Sequence, residues 1–344
     1  MIQNEKMIQE KQMKLVAKMV TAAFLVSLSV QAFAFSRPSD VVDAETADSA
    51  EKTESVTARV GVLSGPSGIP LAYRMENDAE STAVSYEVFA GANLLLPKLI
   101  NGEIDIGFLP PNVAAKVYNA NNGAILMAAV AGNGMMSLVT KDKEIHSIAD
   151  IAGKKVSVAG QGATPDYMMR YLLSANNVEA ELDFSIPNAQ IAPALIAGKI
   201  EYAVVPEPFA TVAAMKDKDI VRAVDIQSAF ALASGTDGVF PMTVIVVRKE
   251  FAEENPEAVR SFLAMYKEAA DWTLSNPSVA GELVESHGLG LTSAITAVAI
   301  PNAAYTFKGA KEAKADVEKI LSVFLNLDAS SIGGTLPDDA FYFE

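Results

Sequence analysis

From Thr57 onward, short β-branched runs alternate with helical stretches, and this alternation limits the possible folds more than any other feature of the chain. Ala58–Leu63 reads as a strand, Ser64-Gly65-Pro66-Ser67-Gly68 as a turn, and Ile69–Glu76 as a helix. Val84–Phe89, the loop Ala90-Gly91-Ala92-Asn93 and a helix over Leu94–Asn101 repeat the cycle, as do Ile104–Leu109, Pro110-Pro111 and Val113–Ala120. Ile125–Ala131 and Met135–Thr140 are further strands. A second series follows: Val156–Ala159, the turn Gly160–Pro165 and a helix over Asp166–Asn176, then Leu182–Ile186, Ala189–Ala197 and Tyr202–Val205, with Pro241–Val247 as a later apolar strand. The remainder reads as helical: Pro256–Leu274, Pro277–Ser286, Thr292–Ala299, Tyr305–Ala310 and Lys311–Leu325. Continuous apolar strands separated by helices predict an α/β protein with parallel β-α-β units. The helical tail, with no sheet of its own, is expected to pack on the first unit.

Before this body comes a different signal. Lys14 and Lys18 precede the apolar run Met19–Val30, and Ala32-Phe33-Ala34 closes it with small residues. That order is the pattern of a cleaved export signal, 1–34, and the apolar run is short for a membrane span. Residues 35–56, acidic and without hydrophobic period, read as a disordered tether. Without Lys6, Lys11, Lys14, Lys18, Glu5 and Glu10 the chain keeps 23 basic and 40 acidic residues, a net charge of −17. Such a surface repels nucleic acid and anionic membranes, so neither is an expected partner. There is no cysteine, which removes thiol nucleophiles, thiolate metal sites and a lipidated anchor. A periplasmic, non-anchored monomer is expected. His146 and His287 are the only imidazoles; both read as structural, and no catalytic residue, metal or cofactor is expected.

Four loops at strand ends carry the candidate site. Ser64, Gly65, Ser67 and Gly68 combine close backbone approach with the N–H groups of a helix start, although the same residues suit a plain β-α turn. Gln161, Gly162, Ala163 and Thr164 have the same geometry with a hydroxyl added. Gly91 and Asn93, and Pro111 and Asn112, form the third and fourth loops, where an Asn can both donate and accept or simply end a turn. Asn188, Glu207 and Phe240 complete the set. Glu207 must be paired or protonated if buried. Phe89, Phe108, Tyr167, Tyr202, Phe209 and Phe240 divide between core and ligand stacking. No arginine stands in any of the four loops; Arg74 and Arg170 lie deeper in helices.

Val60-Gly61-Val62 with its Gly-rich loop, Leu99–Gly107, Ile148–Val158, Ala194–Glu201, Val205-Pro206-Glu207-Pro208-Phe209 and Ile332–Asp339 together resemble the type II periplasmic solute-binding proteins of ABC importers. The resemblance is to the branch that handles aliphatic sulfonates, taurine, nitrate and thiamine-precursor pyrimidines, and it covers the whole mature chain. The Cys-rich motif of the pyrimidine-synthesising relatives is absent.

The resemblance implies a two-lobe fold with a hinge between lobes, each lobe a mainly parallel sheet flanked by helices. Lobe one would hold 57–139 plus 244–344, and lobe two 140–243. A small organic molecule (a sulfonate, a nitrate-like anion or a heteroaromatic vitamin precursor) would close the cleft and pass to an ABC permease with its ATPase. The alternative is an enzyme on the same scaffold, of pyrimidine-precursor synthesis or lyase type. The shortage of arginine tilts the ligand toward a neutral or weakly charged planar compound, although helix N-termini alone can hold an anion.

Overall fold

The computed structural model describes residues 57–344; the expected export signal and tether lie outside the described residues. In chain order the elements are β1 (Ala58–Leu63), α1 (Ile69–Asn77), β2 (Val84–Phe89), α2 (Ala92–Ile100), β3 (Ile106–Leu109), α3 (Pro111–Ala120), β4 (Ile125–Asn133) and β5 (Met136–Thr140). There follow β6 (Lys155–Val158), α4 (Thr164–Ala175), β7 (Glu181–Asp183), α5 (Asn188–Ile196), β8 (Tyr202–Pro206), α6 (Phe209–Lys216), β9 (Val221–Asp225) and α7 (Ile226–Ser234). The last are β10 (Pro241–Arg248), α8 (Lys249–Glu254), α9 (Pro256–Ser275), α10 (Pro277–Ser286), α11 (Ser293–Ala299), β11 (Tyr305–Gly309) and α12 (Ala310–Leu327).

The strands form two sheets, ordered β11-β4-β10-β3-β1-β2 and β7-β6-β8-β5-β9, and helices flank both. This is the expected two-lobe α/β fold, with mixed sheets in place of the mainly parallel ones expected: five of the nine strand pairings are antiparallel. Each sheet is parallel in its β-α-β part, β1 with β2 and β3, and β6 with β7 and β8. Antiparallel strands are added where the chain passes between lobes: β5 lies against β8 and β9, and β10 against β3 and β4. Val60, Val62, Ile106, Phe108, Ile245 and Val247 are fully or almost fully buried in lobe one, and Val139, Ala203, Val205 and Ile191 in lobe two. Both sets lie on strands covered on two faces or on the helix that covers one, which is why their runs are continuous rather than alternating.

The strand pairing corrects three expectations. Met136–Thr140 pairs with β8 and β9, so the first crossing is at Gly134-Met135, before the expected 139/140 boundary. Pro241 and Thr243 already pair with β4, which puts the return crossing at 235–240 and not at 243/244. A continuous apolar run does not reveal which sheet it joins. Tyr305–Gly309, expected as helix, is an edge strand whose Tyr305 and Lys308 pair with Gly132 and Val130. Its Tyr-Thr-Phe-Lys sequence is rich in strand formers, and the tail therefore does contribute to the first sheet.

Candidate functional site

Because β1, β2 and β3 run parallel, their outgoing loops lie on one edge of the first sheet, the usual place for a ligand in an open α/β sheet. Ser64 N–H donates to the Phe89 carbonyl at 2.8 Å and Gly65 N–H to Leu289 at 3.0 Å. A Cβ on Gly68 would sit 2.4 Å from the Leu63 carbonyl oxygen, so that close approach requires glycine. The Tyr305 hydroxyl donates to the Pro66 carbonyl at 2.8 Å. Burial pushes the Tyr305 phenol well above its ordinary value, with Tyr266 and the Glu207 carboxylate adding to the shift, so it stays a neutral donor. Gly91 caps α2 and Asn93 is exposed beside it; Pro110 caps α3, in whose first turn Pro111 and Asn112 are buried.

The opposing edge is built around Gly160 and Gly162, both at φ +73°. Gly160 N–H donates to Asn188 Oδ1 at 2.9 Å, Ala163 N–H to the Gly160 carbonyl at 3.0 Å, and Gly162 N–H to Asp166 Oδ2 at 2.9 Å. The other oxygen of Asp166 takes Arg170 Nε at 2.5 Å. Gln161 is exposed, and α4 starts at Thr164 with Ala163 as its cap. Gly68, Gly91, Pro110 and Ala163 cap α1 to α4, and none makes a side-chain hydrogen bond to its helix. Backbone carbonyls take some first-turn N–H groups (Ile69 to Pro66, Leu94 to Gly91, Asp166 to Ala163), and Pro70, Pro111 and Pro165 have none. Only the remaining donors are left for solvent or a ligand at the positive helix ends.

The two edges touch. Asn112 Nδ2 donates to the Gly162 carbonyl at 3.1 Å, directly from lobe one to lobe two. Tyr167 on α4 donates to Asp328 Oδ2 at 3.1 Å, and its ring lies 5.1 Å from that of Phe324 on α12. A cavity of about 390 Å³ opens between Gln161, Gly162, Asp166, Arg170 and Asp328. Hydrogen bonds from Ser330 and then Tyr167 hold the Asp328 carboxyl below the usual range. Burial, and the bond to Asp328, push the Tyr167 phenol up. Two buried polar atoms at this contact have no hydrogen-bond partner: Asn112 Oδ1 and Thr164 Oγ1, on residues 2% and 1% exposed.

Some expected contacts are withdrawn by their surroundings. Glu207, 2% exposed, is saturated: Oε1 accepts from Arg222 Nε and Nη2 at 3.1 and 2.6 Å, and Oε2 from Thr211 N–H at 3.2 Å. Phe240 is fully buried edge-on against Phe230, with ring centroids 5.5 Å apart, and serves the core. Asn188, in the expected set, braces the Gly160 turn with its side-chain oxygen. Phe89 and Phe108 are core, and Tyr202 bonds Asp142 and Lys154 at the far end of its strand. His287 pairs with Glu76 at 3.0 Å and the His146 N–H with Asp150, both away from the loops. Asp166, Asp328 and Tyr305 were not anticipated at the cleft. Asp328 opens an Asp-Ala-Ser-Ser turn that the sequence marks as a cap, with no sign that it faces the other lobe.

The profile of the NMT1-like family matches residues 49–287. The chain belongs to the NMT1-like family. A Brucella abortus (strain 2308) protein described as a candidate binding protein is 24% identical over 198 residues, 55% of this chain; the match spans 57% of that relative's length. Among solved structures, an ABC transporter protein from Parabacteroides distasonis is 27% identical with a TM-score of 0.72, covering 84% of this chain and 99% of its own. The periplasmic aliphatic sulphonate binding protein SsuA of Escherichia coli (17% identity, TM-score 0.64, 82% and 92% covered) shares the fold. So does the periplasmic nitrate-binding protein NrtA of Synechocystis PCC 6803 (16%, 0.59, 80% and 82%). These neighbours bear out the resemblance to periplasmic binding proteins read from the sequence, and the NMT1-like chain shares their two-lobe architecture.

Proposed function

We propose that this NMT1-like protein is an extracytoplasmic solute-binding protein. It captures a small organic molecule between its lobes and delivers it to an ABC permease and ATPase in the inner membrane. Residues 1–34 would direct export and be removed, and 35–56 would tether the body without a lipid anchor. The observation that carries this reading is the Asn112–Gly162 contact, which joins the start of α3 in lobe one to the turn that opens α4 in lobe two, across a crossing made of short segments. Ligand contacts from both sides would shift an open–closed equilibrium toward closed. Gly162, Ala163 and Thr164 on lobe two, with Asn112, Ser64, Gly65, Ser67, Gly91 and Asn93 on lobe one, form the proposed ligand-binding set. The Brucella relative is described as a candidate binding protein, and SsuA and NrtA as binding proteins, which favours capture over catalysis.

Native mass spectrometry of the chain from Phe35, purified from the extracytoplasmic fraction, tests this reading. One small molecule per protein is expected, with a rise in melting temperature when it is added back. An empty protein whose melting point responds to no small solute would sink the proposal.

A further inference from the structure

The Asn112 carboxamide is divided between two tasks. Its Nδ2 holds the opposite lobe through the Gly162 carbonyl, while its Oδ1 is buried and unpaired. Because Nδ2 spans the cleft, Oδ1 of the same planar group also lies at the inter-lobe contact. The reverse amide orientation would set Oδ1 against the Gly162 carbonyl oxygen, so the assignment is chemically required. Thr164, two residues beyond Gly162, adds an unpaired buried hydroxyl. An orphaned buried acceptor is costly until a donor meets it. The closed state is thus incomplete without a partner that brings an N–H or O–H to Asn112.

The surrounding charges narrow that partner. All six arginines among the described residues already face carboxylates: Arg59 and Arg248 at Asp105, Arg74 at Asp78, Arg170 at Asp166, Arg222 at Glu207 and Arg260 at Glu257. An oxyanion would meet no free guanidinium here and would set its oxygens against Asn112 Oδ1. A cation would meet the positive starts of α3 and α4, the helices that carry Asn112 and Thr164. Thr164 can donate to an acceptor beside the donor that Asn112 needs.

We infer that Asn112 is the specificity-determining residue of this cleft and that it selects an uncharged ligand with an amide-like edge, a donor next to an acceptor. The inference rests on the capture reading above. Asn112 then couples recognition to closure: the ligand donor satisfies Oδ1 and so stabilises the lobe contact that Nδ2 makes.

The test is calorimetric titration and thermal shift of the mature chain with five probes: uracil and nicotinamide, which carry an N–H edge; 1,3-dimethyluracil, which lacks the N–H; and ethanesulfonate and nitrate. Uracil or nicotinamide is expected to bind at least about tenfold tighter than the other three. Asn112→Leu removes the Nδ2 lobe contact for every probe, and it should weaken the N–H probe by about 5- to 100-fold more than it weakens dimethyluracil; a merely structural role would weaken both equally. If Asn112→Leu fails to fold, the uracil–dimethyluracil pair on the unaltered protein decides. Tighter binding of ethanesulfonate or nitrate overturns the inference and leaves the capture reading standing. Equal binding of uracil and dimethyluracil also overturns it. Silence toward all five overturns it and counts against the capture reading too.

Discussion

Two segments of this chain look alike in sequence and end in opposite states. Pro110-Pro111-Asn112 follows β3 and Pro206-Glu207-Pro208 follows β8; each sets a polar side chain, 2% exposed, at the end of a strand. Glu207 finds Arg222 and Thr211 inside its own lobe and is satisfied. Asn112 finds only a carbonyl of the other lobe and keeps one oxygen unpaired. Position at a strand end therefore does not make a ligand contact. What decides is whether the rest of the chain has already supplied a partner.

The sharpest way to break the contrast is at the loop that Asn112 reaches. Gly162→Asp places a carboxylate where no atom lies within 4 Å of the added Cβ, so the fold should survive with a modest φ penalty. Calorimetry should show ligand binding weakened by at least about tenfold, since the added carboxylate stands where the proposed ligand meets this loop. Normal affinity would remove this loop from the site.

Glu207→Ala asks the converse. It leaves the Arg222 guanidinium without its carboxylate and should cost about 2–3 kcal/mol in urea unfolding, less than a fully buried pair because Arg222 is partly exposed. Ligand affinity of the folded fraction should hardly change. A selective loss of affinity would return Glu207 to the site.

Asp105 is a third buried polar group, saturated like Glu207. Burial pushes its carboxyl up, but hydrogen bonds from the Arg59 side chain and backbone and from Arg248 outweigh this and hold it below the usual range. A carboxyl lowered in the folded state contributes stability above its unfolded pKa, about 4, and loses it as pH falls through the folded value. Asp105→Asn should therefore lower the unfolding free energy from urea titration at pH 7 by about 1–2 kcal/mol and flatten its decline below pH 4. An unchanged acid slope would show that Asp105 does not drive it.

The smallest effect is expected at the second contact between lobes. Tyr167→Phe removes one hydrogen bond to Asp328 and should weaken ligand binding about 2- to 10-fold while the ring keeps its packing on Phe324. No change would show that the Tyr167 hydroxyl does not contribute to closure.

The sequence reading reached the strands and their end loops where local pattern and long-range packing agree: β1 and β2 appear with the bounds their apolar runs predict, and Asn112 and Gly162 were recognisable as loop residues. It went astray where a partner comes from a distance. Residues 206–240 held α6, β9 and α7 unread, because Phe209–Lys216 is almost uniformly apolar and shows no helical face. Arg222 lies in that unread stretch, so the saturation of Glu207 was invisible. Tyr305–Gly309 is a strand only because β4 offers it an edge. The orphaned oxygen of Asn112 is a property of two lobes meeting, and no spacing within one loop encodes it.

Gly134 lies between β4 and β5, where the chain first leaves one lobe for the other, and a Cβ there would come within 2.4 Å of the Phe240 ring on the return path. The two crossings thus bear on each other at one point, like the leaves of a single pivot. Bulk added at that pivot would tilt the balance between open and shut from a place that touches no solute. On the capture reading, affinity could then drift over evolution while the choice of solute stays fixed.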